Sequence, residues 1–195
     1  MKVCSTSPYF FNAGLLSSGP LIDMVATAYA KLIAESEDGG KSFDVVFGPA
    51  YKGIPFAATT SVALYRDYGI DVGYAYDRKE EKDHGEGGRM VGAEVKGKRV
   101  LILDDVMTAG TAIRKSIELI EKEGGLISGI VMLLDREEVT VTGANTVQDI
   151  ENHFNGKISI KSLIKMRDLI AWLQENNKSD LLDIMLDYKS QFGLK

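Results

Sequence analysis

Short apolar runs alternate with amphipathic stretches along most of this chain, and the alternation predicts a repeated strand–helix unit. Five of these runs are rich in β-branched or aromatic residues, which is typical of strands buried on both faces of a parallel sheet. The predicted strands are Phe43–Phe47, Val72–Tyr76, Val100–Leu103, Ile127–Leu134 and Ile158–Ile160. The pattern therefore predicts an α/β domain with a doubly wound, mainly parallel sheet and helices on both of its faces.

Apolar positions at helical spacing predict helices between these strands. Pro20 stands in the first turn of one helix, and Gly124–Gly125 end a second one. The two apolar stripes are Leu21, Val25, Ala28, Tyr29 and Leu32, and Ala109, Ile113, Ile117 and Ile120. The segment Thr146–Asp149 is typical of a capping box and predicts a third helix. Roughly the last thirty residues predict one or two helices that pack on the surface.

Length and composition place the chain among globular proteins. It has 195 residues, of which 45% are hydrophobic and 26% charged, so we expect one domain over residues 1–195 rather than a disordered, collagen-like or coiled-coil protein. No apolar run reaches the roughly 18 to 20 residues of a membrane helix, and the start lacks the pattern of a secretory signal. We therefore expect a cytoplasmic protein. The net charge of −5 argues against a nucleic-acid partner.

Few side chains are available for a metal site made by the protein alone. Cys4 is the only cysteine, so it can form neither an intramolecular disulfide nor a cysteine-rich zinc site. The two histidines, His84 and His153, lie far apart in sequence, and we interpret His153 as a surface residue. Any metal ion is therefore expected to arrive with a substrate.

One strongly charged segment, Asp77–Arg89, interrupts the strand–helix rhythm directly after a predicted strand. A solvated surface loop is the plain interpretation of such a charge run. Long polar loops are uncommon inside compact domains, however, and often act as active-site lids. We therefore predict a mobile loop over residues 77–90 that closes over an anion. The cations available to it are Arg78, Lys79, Lys82 and His84.

The run Arg99–Ile113 contains the clearest candidate chemistry. A buried strand ends there in two adjacent carboxylates, Asp104 and Asp105, and the small-residue turn Thr108–Thr111 follows. The backbone N–H groups and hydroxyls of that turn can converge on a phosphate at the positive end of the next helix. A single aspartate at a strand end is as often a helix cap. Two carboxylates before a phosphate cradle instead suit the neighbouring hydroxyls of a sugar phosphate.

The segment Leu103–Thr111 resembles the phosphoribosyl-diphosphate binding motif of the type I phosphoribosyltransferases. Other segments resemble, in the same order, those of the orotate phosphoribosyltransferases within that family. They are Ser7–Gly14, Phe47–Pro55, Arg78–Gly88 and Leu134–Glu137. The resemblance implies transfer of the phosphoribosyl group from 5-phosphoribosyl 1-diphosphate (PRPP) to orotate, which gives orotidine 5-monophosphate and pyrophosphate in pyrimidine biosynthesis. It also implies Mg²⁺ carried by the diphosphate, and a homodimer whose mobile loop is shared across subunits.

The resemblance also implies roles for individual residues in PRPP binding. Asp104 and Asp105 match the groups that bind the ribose hydroxyls, and Thr108–Thr111 match the 5-phosphate site. Lys52 matches a lysine that reaches the diphosphate, although an exposed turn lysine is the alternative, and a cis peptide bond is implied at Ala50–Tyr51. The residues implied to bind PRPP are Lys52, Arg78, Lys79, Lys82, His84, Asp104, Asp105, Val106, Met107, Thr108, Ala109, Gly110 and Thr111. Those implied to be catalytic are Lys82, His84 and Asp105.

Orotate is planar and anionic, so its site is expected to combine an apolar or backbone-rich wall with a cation. The residues that the resemblance assigns to orotate are Lys2, Phe10, Phe11, Thr108 and Arg136. Core packing is the alternative for Phe10 and Phe11, and we expect one of them to do both. The family carries a helix and a strand before Ser7–Gly14 as part of a hood over the base, so we interpret residues 1–19 as a remnant of that hood.

Two other functions remain open on the sequence alone. The first is a phosphoribosyltransferase for a different base, against which Phe10, Phe11 and Arg136 favour a carboxylated pyrimidine. The second is a non-catalytic regulator that binds a nucleotide-like effector on the same fold. The presence of Lys82 and His84 in the charged segment favours an enzyme.

Overall fold

The structure, a computed structural model, describes residues 7–36, 39–82, 88–107, 110–139 and 145–194, with the backbone alone at 81–82. Six strands form one sheet. They are β1 Val45–Gly48, β2 Gly73–Lys82, β3 Gly88–Gly92, β4 Arg99–Met107, β5 Leu126–Asp135 and β6 Ser159–Lys165. The order is β3-β2-β1-β4-β5-β6, and the described pairs are parallel except for β2–β3. The prediction of a mainly parallel sheet is confirmed.

Helices cover both faces of this sheet. They are α1 Gly19–Ala34, α2 Gly53–Tyr68, α3 Thr111–Lys122, α4 Thr146–His153, α5 Met166–Glu175 and α6 Ser179–Phe192, with a short 3-10 helix at Ala13–Leu15. No helix in the described part of the chain is long and apolar enough to span a membrane.

Side chains of the central strand β4 alternate between the two helical layers. Leu101 and Leu103 pack in the layer of α1 and α2, whereas Val100 and Ile102 pack in the layer of α3 and α4. All four are buried. Burial of each such side chain contributes about 1.5 to 3 kcal/mol, so β4 is held from both sides and its carboxyl end is a rigid base for a site.

The buried face of α1 differs from the predicted stripe. Its buried residues are Ala26, Tyr29, Ala30 and Ile33, while Leu21 is exposed. The difference arises because α1 packs against α2 as well as against the sheet, and Ala26 and Ala30 belong to the same buried cluster as residues of α2.

The starts of α3 and α4 also differ from the sequence interpretation. Helix α3 begins at Thr111, and the predicted stripe residue Ala109 lies outside the described residues. Helix α4 is capped by Asn145, whose side chain accepts a hydrogen bond from the N–H of Val147 at 2.9 Å. Thr146, the predicted cap, is instead buried as the first helical residue.

The charged segment is not a loop throughout, because its described part forms strands. This corrects the predicted loop conformation, whereas closure over an anion stays a prediction. Asp77 pairs with Met90 and Lys82 pairs with Gly88, so β2 and β3 form an antiparallel ribbon at the edge of the sheet. Backbone hydrogen bonds hold this ribbon, and charged side chains are tolerated because an edge ribbon is exposed to solvent. Residues 83–87 lie outside the described part.

A small separate core joins the last two helices to the start of the chain. Met166 of α5 packs against Met185 and Tyr188 of α6, and Tyr9 contacts this cluster. The carboxyl-terminal helices therefore lie against the segment that precedes α1, and not only on the surface of the sheet.

Candidate active site

The carboxyl edge of the sheet brings the turn after β1 close to the end of β4. Two glycines allow this approach. A Cβ atom on Gly53 would lie 2.9 Å from the Leu103 carbonyl oxygen, and one on Gly48 would lie 2.1 Å from the Gly53 oxygen. Because no side chain fits at either position, the turn Pro49–Lys52 rests directly on the strand that carries the two aspartates.

Lys52 and Asp105 meet at this edge. The Lys52 Nζ lies 3.1 Å from Asp105 Oδ2, and about half of the lysine side chain is exposed. The second oxygen of the Asp105 carboxylate accepts a hydrogen bond from the N–H of Val106 at 2.7 Å. The structure thus brings together a cation and a carboxylate from distant parts of the sequence, at a place where solvent reaches both.

Asp104 has a different environment from its neighbour. Its residue is only 8% exposed, its carboxylate accepts from the N–H of Asp105 at 2.9 Å, and its carbonyl accepts from the Tyr29 hydroxyl at 2.8 Å. Burial raises the pKa of Asp104 to about 7, and the charge of Asp105 adds to this, while the Asp105 N–H and Lys52 oppose it. The pair therefore consists of Asp104, whose pKa is near neutrality, and Asp105, which forms an ion pair with Lys52.

The turn after β4 leads into the amino-terminal end of α3. Gly110 has a φ of 72°, and a Cβ atom there would lie 2.6 Å from Thr146 Cγ2, so glycine is required. Thr111 is exposed at the first helical position, where free N–H groups and the helix dipole favour an anion. Thr108 and Ala109 belong to the part of the chain that is not described.

Two residues of the predicted PRPP set point into the core. The side chain of Met107 is buried in the layer of α3 and α4, and Val106 packs against the opposite layer. Any contact of Met107 with a ligand must therefore come from its backbone.

The root of the β2–β3 ribbon is linked to the turn that carries Lys52. Asp77 Oδ1 accepts a hydrogen bond from the Ala50 N–H at 2.7 Å, and Lys79 Nζ lies 4.3 Å from the centre of the Tyr51 ring. The Ala50–Tyr51 peptide bond is cis, which confirms what the resemblance implied. No sequence signal identified Asp77 as the acceptor for this turn.

Of the other cations predicted in the charged segment, the structure describes the side chain of Arg78 but not those of Lys82 and His84. Arg78 Nη1 donates to the Gly88 carbonyl at 3.2 Å, so this side chain bridges the two strands. Lys82 ends β2 and pairs through its backbone with Gly88. The Lys82 side chain and all of His84 lie outside what the structure describes.

The amino-terminal segment and the turn after β1 enclose a cavity of about 260 Å³. Its lining includes Ala13 and Leu16 on one side and Tyr51 and Lys52 on the other. Among the predicted base contacts, Phe11 packs against the core, whereas Phe10 is 81% exposed. One phenylalanine thus packs in the core and the other is exposed. Lys2 precedes the described residues. A larger cavity of about 410 Å³, lined in part by Ser128 and Lys161, contains none of the predicted site residues.

Arg136 follows β5 directly, and β5 neighbours β4 at the same edge of the sheet. Its guanidinium is 4.7 Å from the centre of the Tyr9 ring and is hydrogen-bonded to Glu138 and Ser7. Sequence reasoning found Arg136 but missed Glu138. A single acid two residues after an arginine carries no signal, because its orientation depends on the turn.

No three His, Cys, Asp or Glu side chains of the described residues are grouped to hold a metal ion. The Asp104–Asp105 pair offers two carboxylates, which fits the way Mg²⁺ is held by one or two carboxylates together with substrate phosphates and water. The residues present therefore fit an ion that arrives with a diphosphate.

Comparison with known proteins agrees with this geometry. Residues 15–163 match the phosphoribosyl transferase domain. The chain is 46% identical, over its full length and 88% of the relative, to the orotate phosphoribosyltransferase of Pseudoalteromonas translucida (strain TAC 125). It is 44% identical to that of Escherichia coli O139:H28, again over its full length and 89% of the relative. The crystal structure of the Francisella tularensis orotate phosphoribosyltransferase superposes with a TM-score of 0.83 at 37% identity, covering 96% of this chain and 88% of that one. The chain belongs to the orotate phosphoribosyltransferases, within the phosphoribosyltransferase family.

Proposed function

We infer that this protein transfers the phosphoribosyl group of PRPP to orotate and releases orotidine 5-monophosphate and pyrophosphate. The observation that carries this inference is the acidic pair at the end of β4, with Lys52 held 3.1 Å from Asp105. An acidic pair, a nearby cation and a helix amino terminus match the hydroxyls, the diphosphate and the 5-phosphate of a single ligand.

The acidic pair has the chemistry to hold the ribose. A carboxylate accepts hydrogen bonds strongly from hydroxyls, so Asp104 and Asp105 bind the two ring hydroxyls. The 5-phosphate binds at the start of α3, where the Gly110 turn and Thr111 present N–H and hydroxyl donors. The ribose is thereby fixed at both ends, which aligns the anomeric carbon for displacement without a covalent nucleophile on the protein.

Release of the diphosphate requires positive charge on the opposite side of the sugar. Lys52 forms an ion pair with Asp105, and it exchanges this contact for diphosphate oxygens when PRPP binds. Lys79, Arg78, Lys82 and His84, all from the charged segment, are the cations that we assign to neutralise the charge that develops on the leaving group. Asp77 holds the backbone of the Lys52 turn at Ala50, so ribbon and turn act together.

When PRPP binds together with Mg²⁺, the ion would lower the negative charge of the diphosphate. Asp104 and Asp105, which bind the ribose hydroxyls, are the carboxylates that would hold it. Lys52 remains on the diphosphate and keeps it in line with the anomeric carbon.

Orotate lies between the amino-terminal segment and Arg136. Phe10 is free to cover the flat face of the base because its side chain is exposed, and Phe11 anchors the segment in the core. Arg136 binds the carboxylate through a charge-assisted hydrogen bond, which is stronger than a neutral one.

We also propose that the protein is a homodimer. Met24 of α1 and Val62 and Tyr65 of α2 are each more than 60% exposed. They stand on helices that pack against one another, so they offer apolar contacts that a second copy covers.

The direct test is release of pyrophosphate from PRPP. We expect release when purified protein, Mg²⁺, PRPP and orotate are present together, and no release when orotate is omitted or replaced by adenine. Release with adenine and none with orotate would assign the protein to a different base. Binding of PRPP without release in any mixture would favour the non-catalytic regulator.

A further inference from the structure

The guanidinium of Arg136 is the centre of a cluster that reaches the carboxyl-terminal helix. Its Nε donates to Glu138 Oε1 at 2.7 Å, and its Nη2 donates to Ser7 Oγ at 2.7 Å and to Tyr188 Oη at 3.2 Å. The Tyr188 hydroxyl in turn donates to Glu138 Oε1 at 2.9 Å. Glu138 and Tyr188 are 50 positions apart in sequence, and both hold the Nε and Nη2 side of the Arg136 guanidinium.

Ring contacts fix the plane of the same guanidinium. Its Cζ lies 4.7 Å from the centre of the Tyr9 ring, and that ring meets Tyr188 edge to face with a centroid separation of 6.5 Å. A cation placed over an aromatic face is attracted by the ring. The Arg136 side chain is only 13% exposed, so it is held in both position and orientation.

The cluster leaves part of the guanidinium for another ligand. An arginine has five N–H donors, of which two belong to Nη1. In the described part of the chain, the hydrogen bonds and the ion pair of Arg136 involve Nε and Nη2 and none involves Nη1. As far as the described residues go, Nη1 therefore keeps its donors for a ligand carboxylate.

Backbone hydrogen bonds tie the same segment to the end of the chain. The Val139 N–H donates to the Phe192 carbonyl at 2.9 Å, and the Leu194 N–H donates to the Glu137 carbonyl at 2.8 Å. Glu137 is buried and forms an ion pair with Arg167 of α5. Both carboxyl-terminal helices thus clamp the segment that carries Arg136.

We propose that Glu138 and Tyr188 are positioning residues for orotate, which hold Arg136 by Nε and Nη2 so that Nη1 meets the orotate carboxylate. The proposal rests on the assignment of Arg136 to orotate under the proposed function. Orienting the arginine before binding reduces the conformational entropy that the ligand must overcome. Helix α6 is therefore part of the base site, although it touches neither the ribose site nor Lys52 among the described contacts.

The test is Tyr188→Phe, which removes the hydroxyl and keeps the ring packed against Met185. Loss of one hydrogen bond to the arginine should raise the KM for orotate about 3- to 10-fold, with the KM for PRPP and kcat within about twofold of the unmodified protein. Uracil has the same ring but no carboxylate, so its inhibition constant against orotate should not change. Ser190→Ala is the matched control, because it removes a hydroxyl from the same helix that bonds to the Asp187 carbonyl.

Two further variants separate the possible failures. Glu138→Gln keeps the shape of the side chain but removes its charge, and it should raise the KM for orotate about tenfold. This variant tests the proposal on its own if Tyr188→Phe does not fold. Arg136→Ala is measured in parallel. If Arg136→Ala leaves the KM for orotate unchanged, the base site of the proposed function is wrong. If Arg136→Ala raises it while folded Tyr188→Phe and Glu138→Gln do not, or if they weaken uracil equally, the positioning proposal is overturned and the proposed function stands.

Discussion

Two adjacent aspartates in this protein have the same side chain and different chemistry, because one is buried and the other contacts a lysine. Asp104 is enclosed beneath Tyr29, and its pKa is raised to about 7 chiefly by burial. Asp105 lies beside Lys52 at 3.1 Å. A sugar with two neighbouring hydroxyls therefore meets one acid that can be protonated near neutral pH and one that is kept close to a cation.

The burial of Asp104 predicts that replacing it with a neutral residue stabilises the protein and lowers its activity. The folded pKa of about 7 lies above the unfolded value of about 3.9, so the folded state binds the proton more tightly. The resulting stabilisation is full below about pH 4 and is lost as the pH rises through 7. Asp104→Asn cannot ionise, so it should melt at a higher temperature than the unmodified protein at pH 8 and at a similar temperature near pH 4.

The same substitution should lower kcat/KM for PRPP about tenfold to a hundredfold, because an amide replaces a charged acceptor of a ribose hydroxyl. Thermal melts at pH 4, 6 and 8 and steady-state kinetics check the two effects. Asp105→Asn is the control, since it removes the partner of Lys52 and should not melt higher at pH 8. An equal gain in melting temperature for Asp104→Asn at all three pH values would contradict the role of burial.

At the scale of elements, the sequence predicted those strands whose side chains are buried on both faces. The run Val100–Leu103 is continuously apolar because β4 is the centre of the sheet, and a short β-branched run of this kind is typical of a central parallel strand. The β2–β3 ribbon was missed because its stability comes from backbone pairing at an exposed edge, where side-chain polarity carries no information. The cap of α4 at Asn145 was missed by one residue for a related reason, since several hydroxyl and amide residues there can cap equally well.

The ribbon is also the element on which turnover is expected to depend. Its root is fixed to the Lys52 turn through Asp77 and Ala50, and the family resemblance assigns Lys82, further along β2, to the departing diphosphate. We expect Lys82→Ala to lower kcat about tenfold to a hundredfold, because one charge-assisted hydrogen bond is lost. The KM for either substrate should change by less than about threefold.

Lys41→Ala is the control for this variant, because Lys41 is an exposed lysine just ahead of β1, outside the predicted site set. Steady-state kinetics with both substrates varied gives the two parameters separately. An unchanged kcat in Lys82→Ala would refute a role of the ribbon in the chemical step, and a large rise in KM with normal kcat would make Lys82 a binding residue only.

At the scale of the whole molecule, sequence and structure agree on what lies at the carboxyl edge and differ on what supports it. The acidic pair, Lys52 and Arg136 were found because their local segments carry a specific pattern. Tyr188 was not, since its link to Arg136 spans 52 positions and arises only when α6 folds back on the start of the chain. Contacts of this kind follow from the packing of whole elements, which no local pattern records.

A dimer that shares its ribbon predicts that two defective subunits can restore one working site. Lys82→Ala lacks the ribbon cation and Asp105→Asn lacks the ribose acid, so each alone is expected to keep no more than about a tenth of the unmodified activity. When the two are mixed and allowed to exchange subunits, half of the dimers are mixed. If the ribbon of one subunit serves its partner, each mixed dimer has one complete site, and the mixture should recover about a quarter of the unmodified activity. If the ribbon serves its own subunit, every site in the mixed dimer carries one defect and no activity returns, so pyrophosphate release from the exchanged mixture distinguishes the two arrangements.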